Sequence, residues 1–359
     1  MERAVLLGLL TENFSKTIGI SGTHGKTTTT SMTVNILMNG GFDPTVVIGG
    51  KLGENNLSGR LGKSDIMVCE ACEYVDTFLK LSTYISVILN IEEDHMEYFK
   101  TLDNLISSFI KFAGGDGKYA IINGDDKNCA RVAASTKREV ITFGLDKKHD
   151  FAALNLRTLQ AGNHRIKSVF DLYINGEFST EIALNIAGIH NVYNALAAAA
   201  SAFYVGADIQ QIKTGLENFT GVKRRFEILG EKNGFVVADD YAHHPAEIKT
   251  TLDSVKNLGY NKIWAIFQPF TYSRTKRFLN EFADALKLAD RVLLTEIMGG
   301  READNNDIAS KDLAVKIEDS IVFPTFDAVA EYALHNAGEG DLVLTMGCGD
   351  VYKIAKLIL

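Results

Sequence analysis

Apolar residues in this chain fall into short runs separated by longer segments of helical spacing. Runs at 17–20, 66–69, 84–89, 119–122 and 140–143 read as buried strands, while 27–38 and 102–112 carry the 3.6-residue period of helices. Residues 1–14 read as an amphipathic helix with Val5, Leu6, Leu9 and Leu10 on one side. Strands alternating with helices predict a mostly parallel, doubly wound sheet. From 151 to 184 the texture changes to short alternating runs split by Gly162-Asn163 and Asn175-Gly176, the second a strong hairpin signal. A small antiparallel addition is therefore expected there. Helices follow at 191–205 and 209–216, and Phe219-Thr220-Gly221 marks a boundary. Beyond it, a hairpin around Lys232-Asn233-Gly234 leads into a strand at 235–238. A second alternating series then sets in, with strands at 263–267, 292–294 and 342–344 and helices at 246–256, 274–286, 327–335 and 352–358. The expectation is an α/β chain of two domains, 1–220 and 221–359.

Composition narrows the function classes. At 359 residues, 46% of them hydrophobic, the chain can bury two cores. No apolar run approaches 18 residues, so no membrane span is expected. No basic segment followed by an apolar one opens the chain, and a cytoplasmic protein is expected. A net charge of −8 argues against nucleic acid as the main partner. Four cysteines include Cys69 and Cys72 in a C-x-x-C, but no second pair accompanies them, and reduced thiols are the simpler reading.

The chemistry centres on Gly22-Thr23-His24-Gly25-Lys26-Thr27-Thr28-Thr29, set between the first strand and its helix. A glycine-bearing turn of this kind aims backbone N–H groups at an anion above the helix N-terminus. Lys26 adds a cation for outer phosphates, and Thr27 offers a hydroxyl to Mg²⁺. The spacing is G-x-x-G-K-T, shorter than the usual P-loop. A metal that accompanies a nucleoside triphosphate needs ligands from neighbouring strand ends. Two acidic clusters qualify, Cys69-Glu70-Ala71-Cys72-Glu73 and Asn90-Ile91-Glu92-Glu93-Asp94-His95. His190-Asn191 and Asn194 open a later helix; the amides read either as base-reading groups or, for Asn191, as an N-cap. Lys223-Arg224-Arg225 lies at the domain boundary, where arginine could contact phosphate. Asp239 to Pro245, with its paired His243 and His244, and Gln268-Pro269 with Arg274 follow strands of the second domain, where loops face a cleft.

These segments, in this order, resemble the Mur ligases, ATP-dependent amide-forming enzymes of peptidoglycan synthesis. Residues 22–29 are similar to that family's GTHGKTTT. Glu70, Asn90, Asp94 and His95 resemble its metal region, and His190, Asn191 and Asn194 its HNxxN. Residues 224–226, the DDYxHHP at 239–245, and Phe267-Gln268-Pro269 with Arg274 resemble its C-terminal motifs. The resemblance implies a central ATPase domain followed by a Rossmann-like domain. It also implies ATP and Mg²⁺ as cofactors, UDP-N-acetylmuramate and L-alanine as substrates, and an acyl-phosphate intermediate. Carried over by position, Gly22, Thr23, His24, Gly25, Lys26 and Thr28 would bind ATP phosphates, and Thr27, Glu70 and His95 the metal. His190, Asn191 and Asn194 would meet adenine, Arg225 the phosphates, and His243 and Arg274 the ligation site, with closure of the second domain expected on ATP binding. The resemblance favours Glu70 over Glu73 as the direct ligand. Alternatives are a relative that adds a peptide or another amino acid, or a non-catalytic ATP-binding fragment. Thr271 stands where many members have an arginine, and the N-terminal UDP-binding domain of the family is expected to be missing from residues 1–359.

Overall fold

The structure is a computed structural model that describes residues 2–52, 57–160, 166–256, 258–300, 302–303 and 307–359. The chain divides into two compact units, Met1–Val222 and Lys223–Leu359.

The first unit contains, in chain order, α1 (Arg3–Thr11), β1 (Lys16–Ser21), α2 (Lys26–Asn39), β2 (Thr45–Leu52), β3 (Leu57–Arg60), β4 (Ile66–Glu70), a 3₁₀ turn at Tyr74–Lys80, β5 (Ile85–Ile88), α3 (Met96–Phe99), α4 (Leu102–Ala113), β6 (Tyr119–Asn123), α5 (Lys127–Ala133), β7 (Glu139–Gly144), β8 (Phe151–Gln160), β9 (Ile166–Ile174), β10 (Glu177–Leu184), α6 (Ile189–Val205) and α7 (Ile209–Glu217). Its ten strands form one sheet in the order β10-β9-β8-β7-β6-β5-β1-β4-β2-β3. From β2 to β8 neighbours run parallel; β3 and the β8-β9-β10 meander are antiparallel. Alternate side chains of each strand enter different layers. Ile85 and Val87 of β5 join the core under α2 and α6, while Ile88 joins the one under α4. The run Ala195–Ala200 is fully buried, and its small side chains let α6 lie close to both sheet and α2. Buried on most sides, α2 shows little amphipathic period; its Thr33 satisfies its own hydroxyl on the Thr29 carbonyl at 2.8 Å. Asn175 and Gly176 take φ of 51° and 79°, the left-handed pair a two-residue hairpin requires. The turn expected at Gly162-Asn163 lies outside the described residues.

The second unit holds β11 (Glu227–Lys232), β12 (Phe235–Asp240), α8 (Pro245–Lys256), β13 (Ile263–Phe267), α9 (Tyr272–Arg277), α10 (Leu279–Leu286), β14 (Arg291–Thr295), α11 (Ser310–Ala314), β15 (Ile321–Phe323), α12 (Phe326–Asn336), β16 (Leu342–Met346) and α13 (Tyr352–Ile358). The sheet order is β11-β12-β16-β13-β14-β15, parallel except for the β11–β12 hairpin, whose Asn233 and Gly234 are again left-handed. One face packs Ile248, Phe267 and Phe282; the other packs Trp264, Val329 and Ile354. The single helix expected at 274–286 is two helices. Thr271 caps α9 by accepting the Arg274 N–H, and Phe278 at φ −110° ends it before α10 starts.

Candidate functional site

β1 lies between β4 and β5, with Ile20 level with Glu70 and Ser21 level with Ile88. The three parallel strands therefore end together, and the loops leaving them share one edge of the sheet. This is where a doubly wound sheet changes winding direction and leaves a crevice.

The loop after β1 is bent by two glycines. Gly22 has φ 142° and Gly25 φ 87°. A Cβ on Gly25 would sit 2.4 Å from Asn194 Oδ1, so only glycine fits. The loop is braced by Asn90: its amide oxygen accepts the His24 N–H at 2.8 Å, and its amide nitrogen donates to the His24 carbonyl at 3.1 Å. Thr23 Oγ1 accepts the Glu92 N–H at 2.9 Å, and His24 Nε2 lies 3.5 Å from Glu92. Asn90 thus shapes the loop with its side chain. Thr27 and Thr28 lie half-exposed in the first turn of α2, where backbone N–H groups carry the positive end of the helix dipole.

Lys26 folds back over this loop. Its ammonium donates to the Gly22 carbonyl, to the Thr23 carbonyl at 3.1 Å and to both oxygens of Glu73 at 3.0 Å. Burial pulls the ammonium toward neutrality, but Glu73 foremost, with Cys72 and Glu70, outweighs it and the pKa is raised. Lys26 is therefore a fixed cation.

Ligand atoms of Glu73, Asp94 and His95 lie within 4.8 Å of one another. Glu73 is 2% exposed. Glu70 is placed differently: its carboxylate accepts the Gly49 N–H at 2.9 Å, and it is not among those three. The physical reason is the chain path. Glu70 is the last residue of β4, whereas the turn after it brings Glu73 back over Lys26. Left-handed backbone gathers here, at Val75 (φ 51°), Asp76 (55°) and His95 (56°). For β-branched Val75 that conformation is strained, and such strain concentrates at functional sites. Of the C-x-x-C cysteines, Cys69 is buried in β4, its thiol pushed up to about 12 by burial, while Cys72 is exposed; both are free.

At the start of α6, Gly188 is the N-cap and Asn191 instead donates to the Ala187 carbonyl at 2.7 Å. Asn194 is buried, accepting from Thr29 Oγ1 at 3.1 Å and donating to Asn191 Oδ1 at 3.3 Å. It ties α6 to the lysine-bearing helix. Burial pushes the His190 imidazole down to about 4, so it is neutral at pH 7. Sequence reasoning missed a neighbouring network. Asp125, after β6, accepts from His149 Nε2 at 2.9 Å, from the Tyr193 hydroxyl at 3.0 Å and from the Leu145 N–H at 2.7 Å. The signal available was the acidic pair Asp125-Asp126 at a strand end.

In the second unit, β12, β16 and β13 end level with one another, Asp240 and Phe267 both opposite Met346. Asp239 accepts from Arg224 Nε at 2.8 Å and Thr345 Oγ1 at 2.6 Å. The Arg224 guanidinium lies between the Tyr241 and Tyr352 rings, 5.0 and 4.8 Å from their centroids. Exposed Arg225 lies 5.6 Å from the Tyr241 ring centroid. Asp240 accepts the Phe226 and Ala242 N–H groups at 2.7 Å, and burial raises its carboxyl to about 6. Burial foremost, aided by the charge of Arg274, draws the His243 imidazole below its ordinary pKa. Cys348 on this edge was not singled out by spacing, because it lies in no recognisable pattern; Arg224 was read as part of the basic triplet at 223–225, but its pairing with Asp239 was not.

Residues 20–202 match the Mur ligase middle domain and residues 224–349 the domain described as "Mur ligase, glutamate ligase domain". The chain is 42% identical over 365 residues to the UDP-N-acetylmuramate–L-alanine ligase of Acetivibrio thermocellus, covering 100% of this chain and 77% of that protein. Among solved structures it is similar to the UDP-N-acetylmuramate-alanine ligase of Thermotoga maritima, with TM-score 0.79 at 27% identity over 98% of this chain and 76% of that one. It is also similar to a murein peptide ligase of Psychrobacter arcticus, with TM-score 0.69 at 26% identity over 98% of this chain and 78% of that one.

Proposed function

The chain belongs to the Mur ligase family, and from that premise we propose that it joins L-alanine to the carboxyl group of UDP-N-acetylmuramate while ATP is cleaved to ADP and phosphate. This is a step of peptidoglycan assembly, and we assign it to the cytoplasm. The observation that carries the reading is the P-loop lysine Lys26 held against Glu73 beside Asp94 and His95, in a chain similar along its whole length to alanine-adding ligases.

Activation brings a carboxylate against a triphosphate, so negative charge accumulates at the γ-phosphoryl group. The loop N–H groups and Lys26 are the groups of the first unit suited to offset it. Glu73, Asp94 and His95, with the Thr27 hydroxyl, would hold Mg²⁺. Two carboxylates suit a hard divalent ion, and one lysine leaves part of their charge unmet. When bound, the ion neutralises phosphate oxygens and orients the transferring group. Asn191 and His190 stand at the mouth of α6 for the adenine, with neutral His190 able both to donate and to accept. His243 and Arg274 would face the alanine.

The test is phosphate release by the purified chain with ATP, Mg²⁺ and UDP-N-acetylmuramate across a panel of acceptors, with the product mass recorded. Alanine should be preferred over serine, glycine and glutamate. Turnover with a tripeptide in place of alanine would assign a peptide ligase instead, and binding of ATP without any turnover would leave a nucleotide-binding module.

A further inference from the structure

His243 lies just past the end of β12, and Glu247 one turn further on, within α8. Nδ1 of His243 faces two oxygens, the Tyr241 carbonyl at 3.0 Å and Glu247 Oε2 at 3.2 Å. A carbonyl oxygen can only accept, so Nδ1 carries the hydrogen, and in the neutral ring Nε2 bears a lone pair. Glu247 is itself fixed: the same oxygen accepts the N–H groups of His243 at 3.0 Å and His244 at 3.2 Å. The ring is also held edge-on to Tyr241, centroids 5.4 Å apart. Tyr241 in turn donates its N–H to the Arg224 carbonyl at 2.6 Å and lies under the Arg224 guanidinium.

We propose that Glu247 is a positioning residue that acts through His243 Nδ1, holding the imidazole in the tautomer whose Nε2 accepts a proton from the ammonium of the incoming amino acid. This rests on the ligase reading above. One proton passes from the ammonium nitrogen to Nε2. The freed nitrogen lone pair forms the N–C bond to the activated carboxyl carbon, and the C–O bond to phosphate breaks, phosphate leaving with the electron pair and taking the second proton of the attacking nitrogen, so that a neutral amide and hydrogen phosphate result. The imidazolium so formed lies beside Glu247. Burial foremost, then Arg274 and Arg225, draws the His243 pKa below its ordinary value, while Glu247 and the Tyr241 carbonyl oppose them. The ring is thus neutral, and able to accept, at neutral pH.

The experiment labels histidine with ¹⁵N and reads ring tautomers from long-range ¹H–¹⁵N spectra, with His243 assigned by its absence in His243→Asn. The whole chain should show the Nδ1–H form. Glu247→Leu should admit the Nε2–H form and lower kcat for alanine-dependent phosphate release at least about tenfold, with KM for ATP unchanged. Glu247→Gln keeps an acceptor but removes the charge, so the tautomer should persist. The acid limb of its kcat–pH profile should then move to lower pH. An Nε2–H ring in the unaltered chain, or a tautomer and pH limb unmoved in both variants at full turnover, overturns the proposal alone. Because the tautomer is read without turnover, the expected spectra with no alanine-dependent phosphate release overturn the ligase reading and, with it, the proton-transfer role.

Discussion

Lys26 and Glu73 show how a residue's role depends on its partners. An isolated lysine on a glycine turn is a mobile charge, but here two carbonyls and a carboxylate hold the ammonium in place. Lys26→Ala should abolish ATP-dependent phosphate release, since removing one preorganised donor at a developing charge costs about 100-fold or more; retained turnover would reject the site. Glu70 and Glu73 can be separated in the same assay. Glu73→Gln should lose activity by about 100-fold and raise the Mg²⁺ concentration needed. Glu70→Gln, which keeps an acceptor for the Gly49 N–H, should change little. The reverse order would return the ligand role to Glu70. Both acidic clusters were legible from their places at strand ends. Which glutamate meets the lysine was not, because that depends on the left-handed turn at Val75 and Asp76.

At the scale of elements, strand ends dominate, and what they bury sets their response to pH. Asp240 closes β12 with both oxygens accepting backbone N–H groups, yet burial lifts its carboxyl from 3.8 to about 6. The folded state therefore binds its proton more tightly than the unfolded state does, so this residue's contribution to stability is greatest below pH 4 and is lost as pH rises toward 6. The full loss is about 3 kcal/mol. Expected from this, the melting temperature of Asp240→Asn relative to the unaltered chain should rise between pH 4 and pH 7; a constant difference would contradict the assignment. Thr271 offers a second case. As the N-cap of α9 it contributes about 1 kcal/mol, so Thr271→Ala should lower stability by that amount in denaturant titration. Its placement gives a structural reason for a threonine at that position. The break between α9 and α10 escaped the sequence reading because helical spacing runs on through Phe278 and only the backbone turns there.

For the whole molecule, the decisive feature is that each unit has its own sheet, covered on both faces by its own core. Calorimetry should resolve two transitions. MgADP at a hundred times its dissociation constant should raise the one belonging to residues 1–222 by about 2.7 kcal/mol. A shift confined to the other transition would place the nucleotide elsewhere.

The order of amino acids by itself determined the α/β class, the boundary near residue 221, the glycine turn before α2 and the acidic and imidazole clusters after β4 and β5. Apolar period and turn chemistry are local properties, readable within a few residues. Tertiary structure alone decided that β1 lies between β4 and β5, that Glu73 reaches Lys26, that Asn90 and Asn194 brace the loop, and that Tyr241 and Glu247 orient His243. Those facts follow from which strands pair and how loops turn between them, and strand order is settled by packing across the sheet.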